Sequence, residues 1–246
     1  MTLSVRKLDK SFGGLHVTRS VSFDLGRGER VALIGPNGAG KTTLVNLISG
    51  TLKPSGGEIL LAGRRLTHLP QARRVGCGLA RTFQITTLPA HLPVLNQVEM
   101  AIHARLGMVH RWWRPFSVCR EVRDEAWSIL ERLSLEPAAG RTPSGLAYGE
   151  QRLVEIALAL ALRPEVLMLD EPMAGVPRGE GRTVLRALED LPGSLSILMI
   201  EHDMDLVFSF AQRIIVLAEG RIMAEGTPDE IRRHPEVRAA YLGAKA

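Results

Sequence analysis

Gly35-Pro36-Asn37-Gly38-Ala39-Gly40-Lys41-Thr42 fits the pattern G-x-x-x-x-G-K-[ST]. An apolar run, Val31–Ile34, precedes it, and a helix-like run, Thr43–Ser49, follows. That is the strand–loop–helix context the pattern requires. Glycines let the backbone curl so that successive N–H groups point into one hollow. The helix N-terminus adds free N–H groups and partial positive charge. In such a loop Lys41 reaches the β- and γ-phosphates of a nucleotide, and the Thr42 hydroxyl ligates Mg²⁺. The residues therefore predict a site for a nucleoside triphosphate on Gly35–Thr43.

Two further apolar runs end in charge. Val166–Asp170 delivers Asp170 and Glu171 at the end of a buried strand, the edge at which α/β proteins bind ligands. Asp170 is placed to hold Mg²⁺ through a water, and Glu171 to act as general base on the attacking water. Leu195–Ile200 runs into Glu201 and His202. Beside a γ-phosphate, His202 could donate a hydrogen bond and fix both the water and Glu171; in isolation a histidine after a strand also reads as structural. Gln84 follows a strand-like run, Leu79–Phe83, and its amide could reach Mg²⁺ or the water. Leu146-Ala147-Tyr148-Gly149-Glu150-Gln151 opens a long helix, whose free N-terminus is either a second anion site or a simple cap.

Around these segments the first third reads as strands. Leu3–Leu8 and Val17–Leu25 alternate apolar and polar residues, as half-buried antiparallel strands do, and Glu58–Leu61 adds another. Val94–His103 and Glu121–Leu133 look helical. The chain then alternates helix (150–162), strand (166–170), helix (178–191), strand (195–200) and helix (204–210), and closes with a hairpin around Glu219-Gly220. Alternation of this kind implies a mainly parallel sheet covered on both faces. The expected fold class is α/β: one domain over 1–246, with a nucleotide-binding core in 1–84 and 151–246 and a helical subdomain in 85–150.

Composition sets the bounds. A chain of 246 residues, 45% hydrophobic and 23% charged, buries a substantial core. Cys77 and Cys119 have neither metal-ligand spacing nor a disulfide framework, which points to a reducing compartment. The opening MTLSVRKLDKSF lacks the apolar core of a signal peptide, and no apolar run nears the ~20 residues that span a bilayer. The expectation is a soluble chain whose membrane role comes through a partner. The net charge of +5 reads as an Arg-rich surface or as affinity for nucleic acid or anionic membrane. Residues 104–120 carry Arg105, Arg111, Arg114 and Arg120 with Trp112 and Trp113 and no acid. They form either a surface beside a membrane or partner, or a loop whose tryptophans fold back onto a helix.

In this order the motifs resemble the ATPase subunit of ABC transporters over essentially the whole chain. GPNGAGKTT resembles the Walker A loop, with Thr43 as its last residue, and VLMLDEP the Walker B strand. ARTFQ places Gln84 at the Q-loop position, IEHDM places His202 at the switch-histidine position, and LAYGEQ stands where the LSGGQ signature belongs. The resemblance implies a RecA-like core with an N-terminal antiparallel β subdomain and an inserted helical subdomain. It also implies Mg-ATP as substrate complex, and adenine stacked on Phe12. Ala147, Tyr148, Gly149 and Glu150 would cap the nucleotide of a second ATPase subunit, in a homo- or heterodimer closed head to tail.

ARTFQ, LAYG, DEPMAG, IEHDMDLV and the tail EGTPDEIRRHPEVRAAYLG are similar to the branched-chain (hydrophobic) amino-acid uptake subfamily. Its implied partners are transmembrane permease subunits and, indirectly, a periplasmic or lipid-anchored solute-binding protein, with the ATPase peripheral on the inner face of the cell membrane. Urea and short-amide importers share the subfamily. The competing class is a nucleic-acid-associated ABC ATPase; a single cassette without a heptad insertion or basic tail argues against it, so no nucleic acid is expected. Departures from the pattern are Ala147 for the signature serine, Glu150 for its glutamine, Pro177 where the D-loop has Asp or Asn, and no Leu-Phe pair in TTLPAHLPVLNQ.

Overall fold

The computed structural model describes residues 1–82, 88–108 and 120–239. Contacts divide the chain into two compact units, one built on residues 1–81, 165–171 and 193 onward, the other on 82–164 and 172–192.

The first unit holds two sheets. β1 (Leu3–Phe12), β2 (Leu15–Leu25), β4 (Gly56–Leu61) and β5 (Arg64–Arg65) form an antiparallel sheet of order β2-β1-β4-β5. Its alternation sends Leu3, Val5, Leu8, Val21, Phe23, Leu25, Ile59 and Leu61 inward. β3 (Arg30–Ile34), β6 (Leu79–Arg81), β7 (Val166–Asp170), β8 (Ser196–Ile200), β9 (Arg213–Ala218) and β10 (Arg221–Gly226) form the second sheet, ordered β10-β9-β3-β8-β7-β6. Every pairing in it is parallel except the β9–β10 hairpin. β7 and β8 are buried at every position. Their unbroken apolar runs follow from that, since a strand covered on both faces has no solvent side to mark with polar residues.

α1 (Lys41–Ser49) joins the two sheets in one core. Its Leu44, Val45, Leu47 and Ile48 pack in a single apolar cluster with Leu3, Val5 and Ile59 of one sheet and Val31, Leu33, Met168 and Leu198 of the other. α2 (Gln71–Gly76) supplies an unheralded support. Arg74 is buried and donates to the carbonyls of Leu47 and Ile48, both at 2.7 Å, and to those of Thr67 and Leu69. The first two are carbonyls of α1's last turn, which have no partner inside the helix, so a cation there satisfies both hydrogen bonding and the helix dipole. Burial holds the guanidinium below its usual pKa. α7 (Met204–Phe210) starts on Asp203, whose carboxylate accepts from the N–H groups of Asp205 and Leu206. α8 (Pro228–Arg233) starts on a reciprocal Thr227–Glu230 box.

The second unit is helical: α3 (Val94–Arg105), α4 (Arg120–Arg132), α5 (Tyr148–Ala161) and α6 (Arg178–Glu189). Its core is Val94, Val98 and Ile102 of α3, Val122, Ala126 and Leu130 of α4, Leu153, Val154, Ile156 and Ala157 of α5, and Val184 and Leu188 of α6. Arg105 forks onto both oxygens of Glu125 at 2.9 and 2.8 Å and donates to the Ala161 carbonyl, tying three helices together. The division differs from the expected core of 1–84 and 151–246. Contacts group α5 and α6 with the helices because α5 packs on α3 and α4, and α6 packs on α5.

Candidate active site

β3, β8 and β7 are neighbours in the sheet and run in the same direction. Their C-terminal ends therefore meet at one edge. The Gly35–Gly40 loop follows β3, Glu201 and His202 follow β8, and Asp170 ends β7 with Glu171 next. Three segments that are separate in sequence, the last two lying far from the first, thus converge through topology alone.

The loop is held by close backbone approach. A Cβ on Gly35, at φ 153°, would stand 2.1 Å from the Leu217 carbonyl oxygen; one on Gly40, at φ 98°, would stand 2.9 Å from that of Val17. Only glycine fits either position. The Gly220 N–H of the β9–β10 hairpin donates to the Ala39 carbonyl at 3.0 Å and fixes the loop from the other side. Asn37, Gly38 and Thr42 are exposed, Pro36 and Thr43 half-buried. Lys41 Nζ donates to the carbonyls of Gly35 (2.6 Å) and Pro36 (3.0 Å). Burial lowers the pKa of this amine, and the Glu171 carboxylate opposes the shift.

The acidic strand end divides its two carboxylates. Asp170 is buried, and its Oδ2 accepts from Arg81 Nη2 at 2.6 Å. Glu171 is half-buried, in the left-handed region at φ 47°, with its N–H donating to the Ile200 carbonyl. His202 is exposed, and its Nδ1 lies 3.8 Å from both Glu171 Oε1 and Glu201 Oε2. Glu201, 1% exposed, accepts from the N–H groups of His202 (2.8 Å) and Asp203 (3.2 Å). Phe12 ends β1 as an exposed residue, 48% accessible, with Lys10 Nζ 5.0 Å from its ring centre.

Mg²⁺ fits this donor set. Among the described residues no cluster of three or more His, Cys, Asp or Glu forms a metal cage. A hydroxyl from Thr42, the Asp170 carboxylate and phosphate oxygens are the hard oxygen ligands that Mg²⁺ takes in nucleotide sites.

The signature-like segment lies in the helical unit. Glu150 turns back on its own helix start, where Oε2 accepts from the Ala147 N–H at 2.8 Å and Arg141 pairs with the carboxylate. The Gly149 N–H donates to Glu180 Oε2 at 2.7 Å. Tyr148 is 41% exposed, with its hydroxyl against Gly175. Gln84 lies outside the described residues, as do Arg111–Arg114 and Cys119. Sequence reasoning missed Arg81, Glu201 and Glu180 as partners of the site. The signals for the first two were a lone cation in an apolar strand and a carboxylate beside His202; nothing in the sequence pointed to Glu180.

A glycine loop at the carboxyl edge of a parallel sheet, facing an acidic strand end, defines a P-loop nucleotide-binding fold. The ABC transporter family model matches residues 18–174, and the model of the branched-chain amino acid ATP-binding cassette transporter matches residues 221–246. The chain is 42% identical to the high-affinity branched-chain amino acid transport ATP-binding protein LivG of Salmonella typhimurium, over 98% of this chain and 97% of that one. It is 37% identical to BraF of Pseudomonas aeruginosa over the same shares. Its fold matches the cassette MJ1267 in its ADP conformation with a TM-score of 0.85 at 30% identity, over 98% of both chains. The chain belongs to the ABC transporter family and is an ATP-hydrolysing cassette with the P-loop ABC fold.

Proposed function

We propose that this chain is the ATP-binding and ATP-hydrolysing subunit of an importer for branched-chain amino acids. The observation that carries the solute class is the match of residues 221–246 to the branched-chain cassette model, a segment apart from the nucleotide site, together with full-length similarity to LivG. Among the described residues no helix is long and apolar enough to cross a membrane. The transport path is therefore assigned to permease subunits, with this chain on the inner face of the membrane and the region from Gln84 to Gln97 as the docking surface.

ATP lies on Gly35–Thr43, with its adenine on Phe12. Thr42, and Asp170 through a water, would hold Mg²⁺, with Gln84 as a further ligand, and the ion would supply charge neutralisation to the triphosphate. Glu171 takes a proton from the water that attacks the γ-phosphorus. The bond to the bridging oxygen breaks, ADP leaves with that oxygen, and inorganic phosphate departs. His202 donates to a γ-phosphate oxygen and orients Glu171. Lys41 exchanges its loop carbonyls for phosphate oxygens. Ala147–Glu150 of a second ATPase subunit caps the nucleotide, so ATP favours the closed pair and hydrolysis releases it.

The test is reconstitution with the permease and a solute-binding protein. Leucine-loaded binding protein should stimulate ATP hydrolysis severalfold. Stimulation by a urea- or amide-loaded protein, with none by leucine, would replace the solute class and leave the ATPase intact.

A further inference from the structure

Arg81 stands at the end of β6 with its side chain 9% exposed, against an Asp170 side chain that is 8% exposed. Parallel register sets Arg81 beside Met168, and Asp170, two residues on, shares that residue's face of β7. Nη2 donates to Asp170 Oδ2 at 2.6 Å. Nη1 donates to Asn46 Oδ1 at 2.7 Å and to Ser49 Oγ at 3.2 Å. Asn46 and Ser49 are three apart on one face of α1, the helix that begins with Lys41 and Thr42. One planar fork thus ties the acidic end of β7 to the helix that carries the phosphate-loop lysine and threonine.

From this geometry we infer that Arg81 is a positioning residue of the Mg-nucleotide site, setting the Asp170 carboxylate relative to Thr42. The inference rests on the proposed roles of Asp170 and Thr42. Those two groups lie 128 residues apart and must meet around one ion, where a displacement of about 1 Å can cost on the order of 10² in rate. A guanidinium has a rigid donor array that can hold both sides at once, which an ammonium cannot reproduce. A carboxylate offers about four acceptor positions, so a bond from Arg81 to Oδ2 is compatible with a metal-bound water on the same group.

Charge and position predict opposite signs. A cation 2.6 Å from Asp170 opposes a nearby divalent ion. If charge alone mattered, removing Arg81 would lower the Mg²⁺ requirement; if position matters, removal raises it.

The experiment uses the full chain and the variants Arg81→Met, Arg81→Lys and Asn46→Ala. Thermal shift by ATP is measured in EDTA and across a Mg²⁺ titration, alongside kcat. All variants should bind ATP in EDTA as the wild type does. The Mg²⁺ midpoint of the added shift should rise about tenfold in both Arg81 variants, with kcat down about 10- to 100-fold and Asn46→Ala in between. An unchanged or lower Mg²⁺ midpoint, whatever the stability, would overturn the inference. If Arg81→Met does not fold, Arg81→Lys and Asn46→Ala carry the same test. A wild type with no Mg²⁺-dependent shift and no ATPase would instead defeat the assignment of Thr42 and Asp170.

Discussion

His202 Nδ1 stands 3.8 Å from Glu171 Oε1, across the gap between the ends of β8 and β7. The same nitrogen is equally far from Glu201, whose carboxylate receives the His202 N–H. The imidazole is thus seated by a buried carboxylate beneath it and faces the proposed base beside it. Glu171→Gln removes the proton acceptor but keeps shape. It should retain ATP binding and lower kcat by roughly 10²–10⁴. An ATP-bound dimer should accumulate on size exclusion. Turnover near the wild-type rate would remove Glu171 from the base role.

Lys41 offers a direct test of the phosphate loop. Mg-ATP binds the folded protein and should raise its melting temperature by mass action, by about 2.7 kcal/mol of added stability at a hundredfold excess over Kd. Lys41→Ala should lose most of that shift while keeping the ligand-free melting temperature. A full shift in the variant would sink the assignment.

Glu29 offers a pH test away from the site. Arg213 donates to it through Nε (2.6 Å) and Nη2 (2.9 Å), and the Gly26 N–H adds a third bond. Chiefly through Arg213, the carboxyl is held below its ordinary 4.5. A depressed carboxylate contributes stability that is present above the unfolded value and lost as pH falls through the folded one. Glu29→Gln should therefore cost about 1 kcal/mol at pH 7, the upper end for a solvent-accessible pair. The gap to wild type should close as pH falls below about 4.5. Denaturant titrations from pH 3 to pH 7 measure it, and a gap that stays constant to pH 3 contradicts the account.

The signature is proposed to act on a second subunit's nucleotide, and mixing tests this. Lys41→Ala and Gly149→Asp should each be inactive; at Gly149 even a Cβ would meet Glu180 Oε2 at 2.8 Å. In a mixed dimer one site carries both lesions and the other carries none, so mixing should restore a measurable part of the ATPase. A dimer that forms without any recovery excludes action between subunits.

Much of this was legible in the residues, because backbone chemistry is local. The strand Val166–Asp170 and the helix Met204–Phe210 fall on their expected bounds, the strand expected at Val31–Ile34 begins one residue earlier, and the helix expected from Thr43 begins at Lys41. Alternation marked β1 and β2, although both run longer than expected, since Ser11 and Phe12 pair with His16 and Leu15 across the hairpin, outside the alternating core. α2 and α8 escaped because six-residue helices are too short for a period to emerge. Arg81 and Glu201 escaped for a different reason. A charge in an apolar run declares itself, but its partner lies on another strand or helix, and only the fold names it. Glu150 gains a partner in the same way: its place in the signature did not name the Ala147 N–H, which its carboxylate caps at the start of its own helix.

Glu171 has one more consequence. A residue with a Cβ at φ 47° sits in a region that glycine and asparagine enter far more easily, at a cost of about 1–2 kcal/mol for other side chains. Replacing it with either should make the protein harder to melt, while removing the group assigned to the chemistry. Random libraries selected for heat resistance alone should then enrich dead enzymes at this position. Ancestral or consensus stabilisation of such cassettes would have to hold this one codon fixed.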